Sequence, residues 1–208
     1  MTEAMSKPNR TARRRERTRR QLLDAMEAVV LKHGYEEASA DAVSEWADLG
    51  RSTFYNHFDN KQDAVLAMLT RHYHDYGDAA YVPLEETPDR ASSLARSALR
   101  VFRAMAADPL TRQLVDRPRL LAQAIAESQG EFIVRDLTEG VMQGRFSFVI
   151  PPERLATMLN WSYVGMLINA VNDDEIEETA RDWVRFVLVN LGIAAAEADE
   201  LVAALPEE

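Results

Sequence analysis

Residues 51–58 read Arg-Ser-Thr-Phe-Tyr-Asn-His-Phe, a run whose side-chain types suit nucleic-acid recognition. Arg pairs with the two acceptors of guanine and Asn with the acceptor–donor pair of adenine, while Ser and Thr bond to several base edges. Tyr, His and Lys donate to phosphate oxygens and fix register without reading sequence. Phe54 and Phe58 are four apart, so a helix places both on one face and turns Arg51, Ser52, Thr53, Tyr55, Asn56 and His57 toward the others. A short helix with an apolar back and a polar front fits the major groove. Lys61 falls in the first turn of the following helix, where backbone amides and a lysine charge together favour a phosphate.

The elements around this run are those that would present it. A first helix starting between Thr11 and Thr18 carries the stripe Leu22, Met26, Val29 and Val30 and stops at Gly34. Ser39 is an N-cap for a short helix through Trp46, and Asp48-Leu49-Gly50 forms a tight break. A second short helix runs from Arg51 to about His57. Asn60, with Asp63 three residues on, caps a longer helix to about Tyr76.

Charge is distributed to match. The chain of 208 residues carries −10 overall, yet its first twenty residues hold eight Lys/Arg and two acids. Six arginines lie between Arg13 and Arg20, Arg14 and Arg15 among them, and such an arm can follow phosphates or enter a minor groove.

The pattern Gly34-Tyr35, Ser39, Val43, Ala47, Thr53-Phe54-Tyr55-Asn56-His57-Phe58 and Lys61 resembles the DNA-binding domain of the tetracycline-repressor (TetR) family, over about residues 18–66. The resemblance implies a recognition helix at Thr53–Phe58. It also implies phosphate contacts by Tyr55, His57 and Lys61, base contacts by Arg51, Ser52, Thr53 and Asn56, and a phosphate contact by Ser39. The family's turn usually reads Ala-x-x-x-Gly-Val-Ser. Here it reads Ser44-Glu45-Trp46-Ala47-Asp48-Leu49-Gly50, so Asp48 stands where a positive φ is expected and Gly50 replaces the serine cap.

Downstream the periodicity stays helical and no strand is expected. Residues 77–88, with Gly77, Pro83 and Pro88, read as a linker. Further helices are expected over about 89–107, 118–144, 152–171, 174–191 and 196–205, with a short piece through Leu114. On the helix before Gly192, Trp183, Val184, Val187 and Leu188 share an apolar stripe, and Phe186 and Val189 extend apolar surface off it. The preceding helix sets Gly165 between Trp161 and Ile168, which permits close helix approach. Gly165, Ile168, Trp183, Val184, Val187 and Leu188 are therefore the expected homodimer interface, in the four-helix arrangement the resemblance also implies. The resemblance further implies a small-molecule pocket in the helical body. Candidate lining residues are Phe102, Met105, Phe132, Met142, Met158, Asn160, Trp161, Tyr163 and Met166, since Met and aromatics suit adaptable apolar sites and a buried amide needs a partner.

Other chemistries are poorly served. The absence of cysteine excludes disulfides, zinc thiolates and thiol nucleophiles. His72 and His74, two apart on a helix, point about 200° from each other and do not chelate together. No catalytic motif, phosphate loop or dinucleotide fingerprint is present. No signal peptide is visible, and the uncharged stretch Leu155–Asn172 contains Asn160, Ser162, Asn169 and Asn172, so it reads as a buried helix.

The expectation is an all-α protein: a basic flexible arm (1–17), a three-helix helix-turn-helix DNA-binding domain (18–64) and a helical ligand-binding and dimerisation domain (65–208). It would be a cytoplasmic, non-enzymatic transcription regulator without metal, cofactor or membrane, whose partners are a double-stranded DNA operator, a small-molecule effector and a second copy of itself. The rival is an all-α small-molecule-binding protein or enzyme without a DNA role. A third possibility is an interaction module built on the acidic body.

Overall fold

Apolar residues recur every third or fourth position along the chain, and each such stripe becomes a helix. The structure, a computed structural model, describes residues 10–80, 89–173 and 175–207. Among the described residues there are ten helices: α1 (Arg10–Glu37), α2 (Ala40–Trp46), α3 (Arg51–Tyr55), α4 (Lys61–Ala80), α5 (Arg90–Ala107), α6 (Pro109–Arg112), α7 (Pro118–Met142), α8 (Pro152–Asp173), α9 (Ile176–Asn190) and α10 (Ala195–Ala203). No strand accompanies them among the described residues, so the all-α expectation holds. No helix there is long and apolar enough to cross a membrane.

The chain divides into two compact units between Met68 and Leu69. In the first, α1 buries Leu22, Leu23, Met26, Val29 and Val30, and kinks at Gly34, where the first stripe ends; its φ of 82° with ψ of 167° is an extended conformation essentially restricted to glycine, not the helical left-handed cap expected there. The helix starts at Arg10, so Arg10–Arg17, assigned to a flexible arm, are helical, and residues 1–9 lie outside the described part. Ser39 caps α2, its Oγ accepting from the Ala42 amide at 3.1 Å. Asn60 Oδ1 accepts from Asp63 N at 3.0 Å, and Asp63 Oδ2 accepts in turn from Asp59 N at 3.1 Å, closing the expected box one residue early. Residues 77–80, assigned to the linker, are the end of α4, and the rest of that segment lies outside the described residues.

In the second unit α8 packs on both α7 and α9, and α5 lies against α9. Caps made by acids fix the starts of α5 and α6. Asp89 accepts from Ser92 N and Oγ, and Asp108 accepts from Thr111 N at 2.7 Å and Thr111 Oγ1 at 2.8 Å. Burial disfavours the charge on Asp89, but hydrogen bonds from Arg145 and Ser92 outweigh it and lower the pKa to about 2. Arg145 also reaches Glu197 at 2.5 Å, joining the start of α5 to α10. Arg90 is buried, and its charge is balanced by Glu139 and by Asp136 at 3.6 Å.

The segment after α7 is held against the end of α9, where Ser147 N donates to Leu191 O at 2.8 Å. The next residue, Gly192, has φ of 85°, and a Cβ there would lie 2.6 Å from the Ser147 carbonyl oxygen. Backbone crowds backbone at this point, so no side-chain movement relieves the clash. Gly192→Ala is expected to destabilise the protein by about 1–3 kcal/mol in chemical denaturation. Gly165→Ala, whose Cβ meets nothing within 4 Å, is expected to leave the stability of the isolated chain unchanged or slightly improved.

Candidate nucleic-acid interface and ligand cavity

Helix α3 has five residues and cannot persist on its own. Its stability comes from Phe54 and Phe58, which are buried with ring centroids 5.5 Å apart. Arg19 of α1 clamps the same place. Its guanidinium lies 4.5 Å from the Phe58 ring centroid and donates to the His57 carbonyl at 3.1 Å. Gln21, also on α1, donates to the Ala47 carbonyl at 2.7 Å and so satisfies the end of α2. Sequence reading missed both residues. Their signal is spacing alone: Arg19 and Gln21 lie just before Leu22, the first residue of the apolar stripe of α1, without belonging to it.

The turn adopts the expected geometry. Asp48 has φ of 52°, the one positive φ outside glycine among the described residues, and Gly50 caps α3 without a side-chain bond. With Phe54 and Phe58 turned inward, Arg51, Ser52, Tyr55 and Asn56 are exposed, and Thr53 and His57 are half-buried. Ser39, Arg14 and Arg15 are exposed as well. Arg51 pairs with Asp41 at 3.0 Å, and both side chains are largely solvated. A pair so exposed is weak, so Arg51 can leave it for a base at little cost.

His57 has its pKa lowered, first by partial burial, then by the charges of Arg15 and Arg19, with Glu16 opposing. It is therefore neutral at pH 7 in the free protein.

Lys61 is placed differently from expectation. Its Nζ donates to the carbonyls of Tyr35 at 3.1 Å and Glu36 at 3.2 Å, lies 4.3 Å from the Tyr35 ring centroid and stands 4.0 Å from the Glu36 carboxylate. Two of its three donors thus hold the bend between α1 and α2. It positions the unit first, and only the third donor remains for a phosphate.

In the second unit, α5, α7, α8, α9 and the part of α4 beyond Met68 enclose a cavity of about 400 Å³. Four of the nine candidate ligand residues line it: Met105, Phe132, Asn160 and Tyr163. Phe102 is a buried ring behind the wall, 5.4 Å from the Tyr163 ring and 6.0 Å from that of Trp183. Met142, Met158 and Trp161 are corrected: they are 74%, 58% and 49% exposed and line no part of this cavity. Trp161 instead borders a second depression between α7 and α8, and Met166 is half-buried away from the cavity. Sequence reading missed Tyr73, Leu94, Gln129 and Ile133. Leu94, Ala98, Val101 and Met105 form a helical stripe on α5 that could have revealed that wall.

The expected dimer set is also corrected. Val184, Val187 and Leu188 are buried inside this unit, because α5 and α8 already cover that face of α9. Trp183 and Val187 line the cavity, and Trp183 Nε1 donates to Ser162 Oγ at 3.1 Å. Ile168 is half-buried and Gly165 is exposed. The apolar surface left outside on α8 and α9 is Met158, Trp161, Phe186 and Val189.

Among the described residues no cluster of His, Asp or Glu could hold a metal ion. A short helix anchored inward by two phenylalanines, following a capped short helix and a turn with positive φ, defines the class: a helix-turn-helix fold. Residues 22–68, within the first unit, match the family model for "Bacterial regulatory proteins, tetR family". The transcriptional repressor KstR of Rhodococcus jostii (strain RHA1) is 31% identical over 111 residues, 53% of this chain and 51% of that protein. The match thus spans about half the length of that curated relative. Two solved structures share the fold. RolR in complex with resorcinol has a TM-score of 0.81 at 23% identity, covering 94% of this chain and 98% of that one. FadR of Bacillus subtilis in complex with stearoyl-CoA has 0.62 at 17%, covering 82% and 98%.

Lys61 and Tyr55 differ in what their removal costs the free protein. Lys61→Ala is expected to lower stability by about 1–2 kcal/mol without DNA, through two lost charge-assisted bonds. Tyr55→Ala, at a side chain 48% exposed, is expected to change it by less than about 0.5 kcal/mol in the same thermal or denaturant melts.

Proposed function

We propose that the protein is a ligand-responsive repressor that binds a near-palindromic DNA operator as a homodimer in the cytoplasm and leaves it when a small, partly apolar effector fills the cavity of its helical body. The observation that carries this reading is α3, whose polar residues face solvent because Phe54 and Phe58 hold its other side. Arg51, Ser52, Thr53 and Asn56 read base edges. Tyr55, His57 and Ser39 bind phosphates, assisted by Lys61 through its remaining donor, and Arg14 and Arg15 add charge along the backbone. Release requires an effector that binds the DNA-incompetent state more tightly, since equal affinity for both states shifts nothing.

The experiment is binding to the DNA flanking the protein's own gene, measured against salt. Affinity is expected to fall steeply with ionic strength, with a log–log slope of about −0.9 per phosphate contact, and Tyr55→Ala is expected to weaken binding while leaving the fold intact. Absent or salt-insensitive binding at those sites would count against the reading. His57 adds a pH signature. A phosphate beside it stabilises the imidazolium and raises a pKa that is depressed in the free protein, so binding takes up a proton. Affinity is expected to be highest at about pH 6 and to decline toward about pH 8, and His57→Gln is expected to flatten that profile.

The homodimer would use the outward faces of α8 and α9. Met158, Trp161, Phe186 and Val189 leave more apolar surface there than a solvated pair of helices requires, and Gly165 on the same side of α8 allows a close approach. Met158→Glu combined with Phe186→Glu is expected to give a folded monomer by light scattering and to cost most of the operator affinity, because each half-site then binds alone.

A further inference from the structure

Asn160 is the one cavity residue whose polar chemistry is left incomplete on the inside of the protein. It is 8% exposed, and its Nδ2 donates to the Ala122 carbonyl at 2.7 Å. That carbonyl can only accept, so the amide orientation is fixed and Oδ1 is the free end. Oδ1 is buried and has no hydrogen-bond partner. One turn further along α8, the Tyr163 hydroxyl reaches only Met105 Sδ, at 3.1 Å. A thioether is a weak acceptor, so this O–H is easily redirected and its oxygen lone pairs remain available.

The rest of the wall is apolar or already paired. Tyr163 and Trp183 meet edge to face at 4.9 Å, and Phe132 lies on the opposite helix, α7. The Trp183 N–H is engaged by Ser162. The charged side chains at the wall neutralise one another: Arg135 stands 3.4 Å from Asp136, which also meets Arg90 at 3.6 Å. An anionic ligand would have to break that set, whereas a neutral ring would leave it intact.

We propose that the cavity binds a neutral hydroxylated aromatic compound, its O–H donating to Asn160 Oδ1 and its oxygen accepting from Tyr163, an assignment that rests on the cavity being the effector site. A single hydroxyl supplies the donor that Asn160 Oδ1 lacks and gives the Tyr163 O–H a stronger acceptor than the Met105 thioether, because Asn160 and Tyr163 are three apart on one helix and share a face. The aromatic edges around it favour a ring over a flexible chain, and a cavity of about 400 Å³ is of the size that encloses such a molecule.

The test is titration calorimetry on the full chain with p-cresol, with p-xylene (the same shape with a methyl in place of the hydroxyl) and with octanoate. The wild type is expected to bind p-cresol about tenfold or more tighter than p-xylene, as an acceptor left unpaired by p-xylene is costly. Asn160→Leu is expected to remove that preference while still binding p-xylene, and Tyr163→Phe to reduce it. A thermal melt shows that each variant is folded, and the wild-type comparison decides the question even where a variant is not. Equal binding of p-cresol and p-xylene would overturn hydroxyl recognition and leave the cavity as a ligand site. Tighter binding of octanoate would overturn the ligand class with the same reservation. A preference that survives Asn160→Leu would overturn the role of Asn160. If none of the three binds, the effector-cavity reading falls together with the proposal.

Discussion

The helix-turn-helix unit depends on burying two phenylalanines from a helix too short to exist alone. A five-residue α-helix has almost no internal hydrogen bonding to offset the entropy of ordering it. Phe54 and Phe58 supply the missing free energy by burial, about 1.5–3 kcal/mol for each ring. Everything near them keeps that arrangement single-valued. Arg19 covers the Phe58 ring and ties off the His57 carbonyl, and Asp48 takes the positive φ that lets α2 and α3 meet at their angle. Lys61 closes the far side by holding the bend after Gly34. The exposed face of α3 is thus a consequence of what is buried behind it, and its orientation is set before any nucleic acid arrives.

This explains which parts of the molecule were legible in the sequence. Periodicity reports which face of a helix is dry, so α3, the caps at Ser39 and Asn60, and the bend at Gly34 could be read directly. The same signal misleads when a helix has more than one neighbour. The stripe Val184, Val187 and Leu188 on α9 is apolar whether it meets the partner subunit or its own α5 and α8, and here it meets its own. The off-stripe residues Phe186 and Val189 carried the information about the outer surface. Lys61 illustrates a different blind spot. Its position at the start of α4 was evident, but a long flexible side chain chooses its partner in three dimensions, and the Tyr35 and Glu36 carbonyls lie about 25 residues away in sequence. Composition likewise identified Met and aromatic residues as pocket material without separating those turned inward from Met142 and Met158, which face solvent.

The helical body follows a different economy from the first unit. Its buried polar groups are mostly matched in sets: Asp108 with Thr111, His72 and Tyr76, and Arg90 with Asp136 and Glu139. The pKa of Asp108 is lowered because, although burial opposes its charge, bonds from His72 and Thr111 outweigh that cost. For Asp136 the balance runs the other way, and burial raises the pKa despite Arg90 and Arg135 nearby. Such sets specify helix register, since shifting one member strands the others, although Arg90 Nε is left without a partner.

Asn160 stands apart from this economy, and the difference bears on function rather than on folding. A leucine has nearly the same volume and would line the cavity without leaving an acceptor dry, so the amide is not what an optimally stable core would choose. Its Nδ2 bond to Ala122 contributes what a neutral hydrogen bond does, about 0.5–1.5 kcal/mol, while the bare Oδ1 costs a comparable or larger amount. A position whose net contribution to the empty protein is near zero or unfavourable becomes favourable once a donor enters. The free energy withheld from folding is then returned on binding, and it is returned only to a molecule that brings a hydrogen to that one oxygen. That is how a largely apolar cavity, which by itself discriminates little between molecules of similar size, acquires a preference for one functional group.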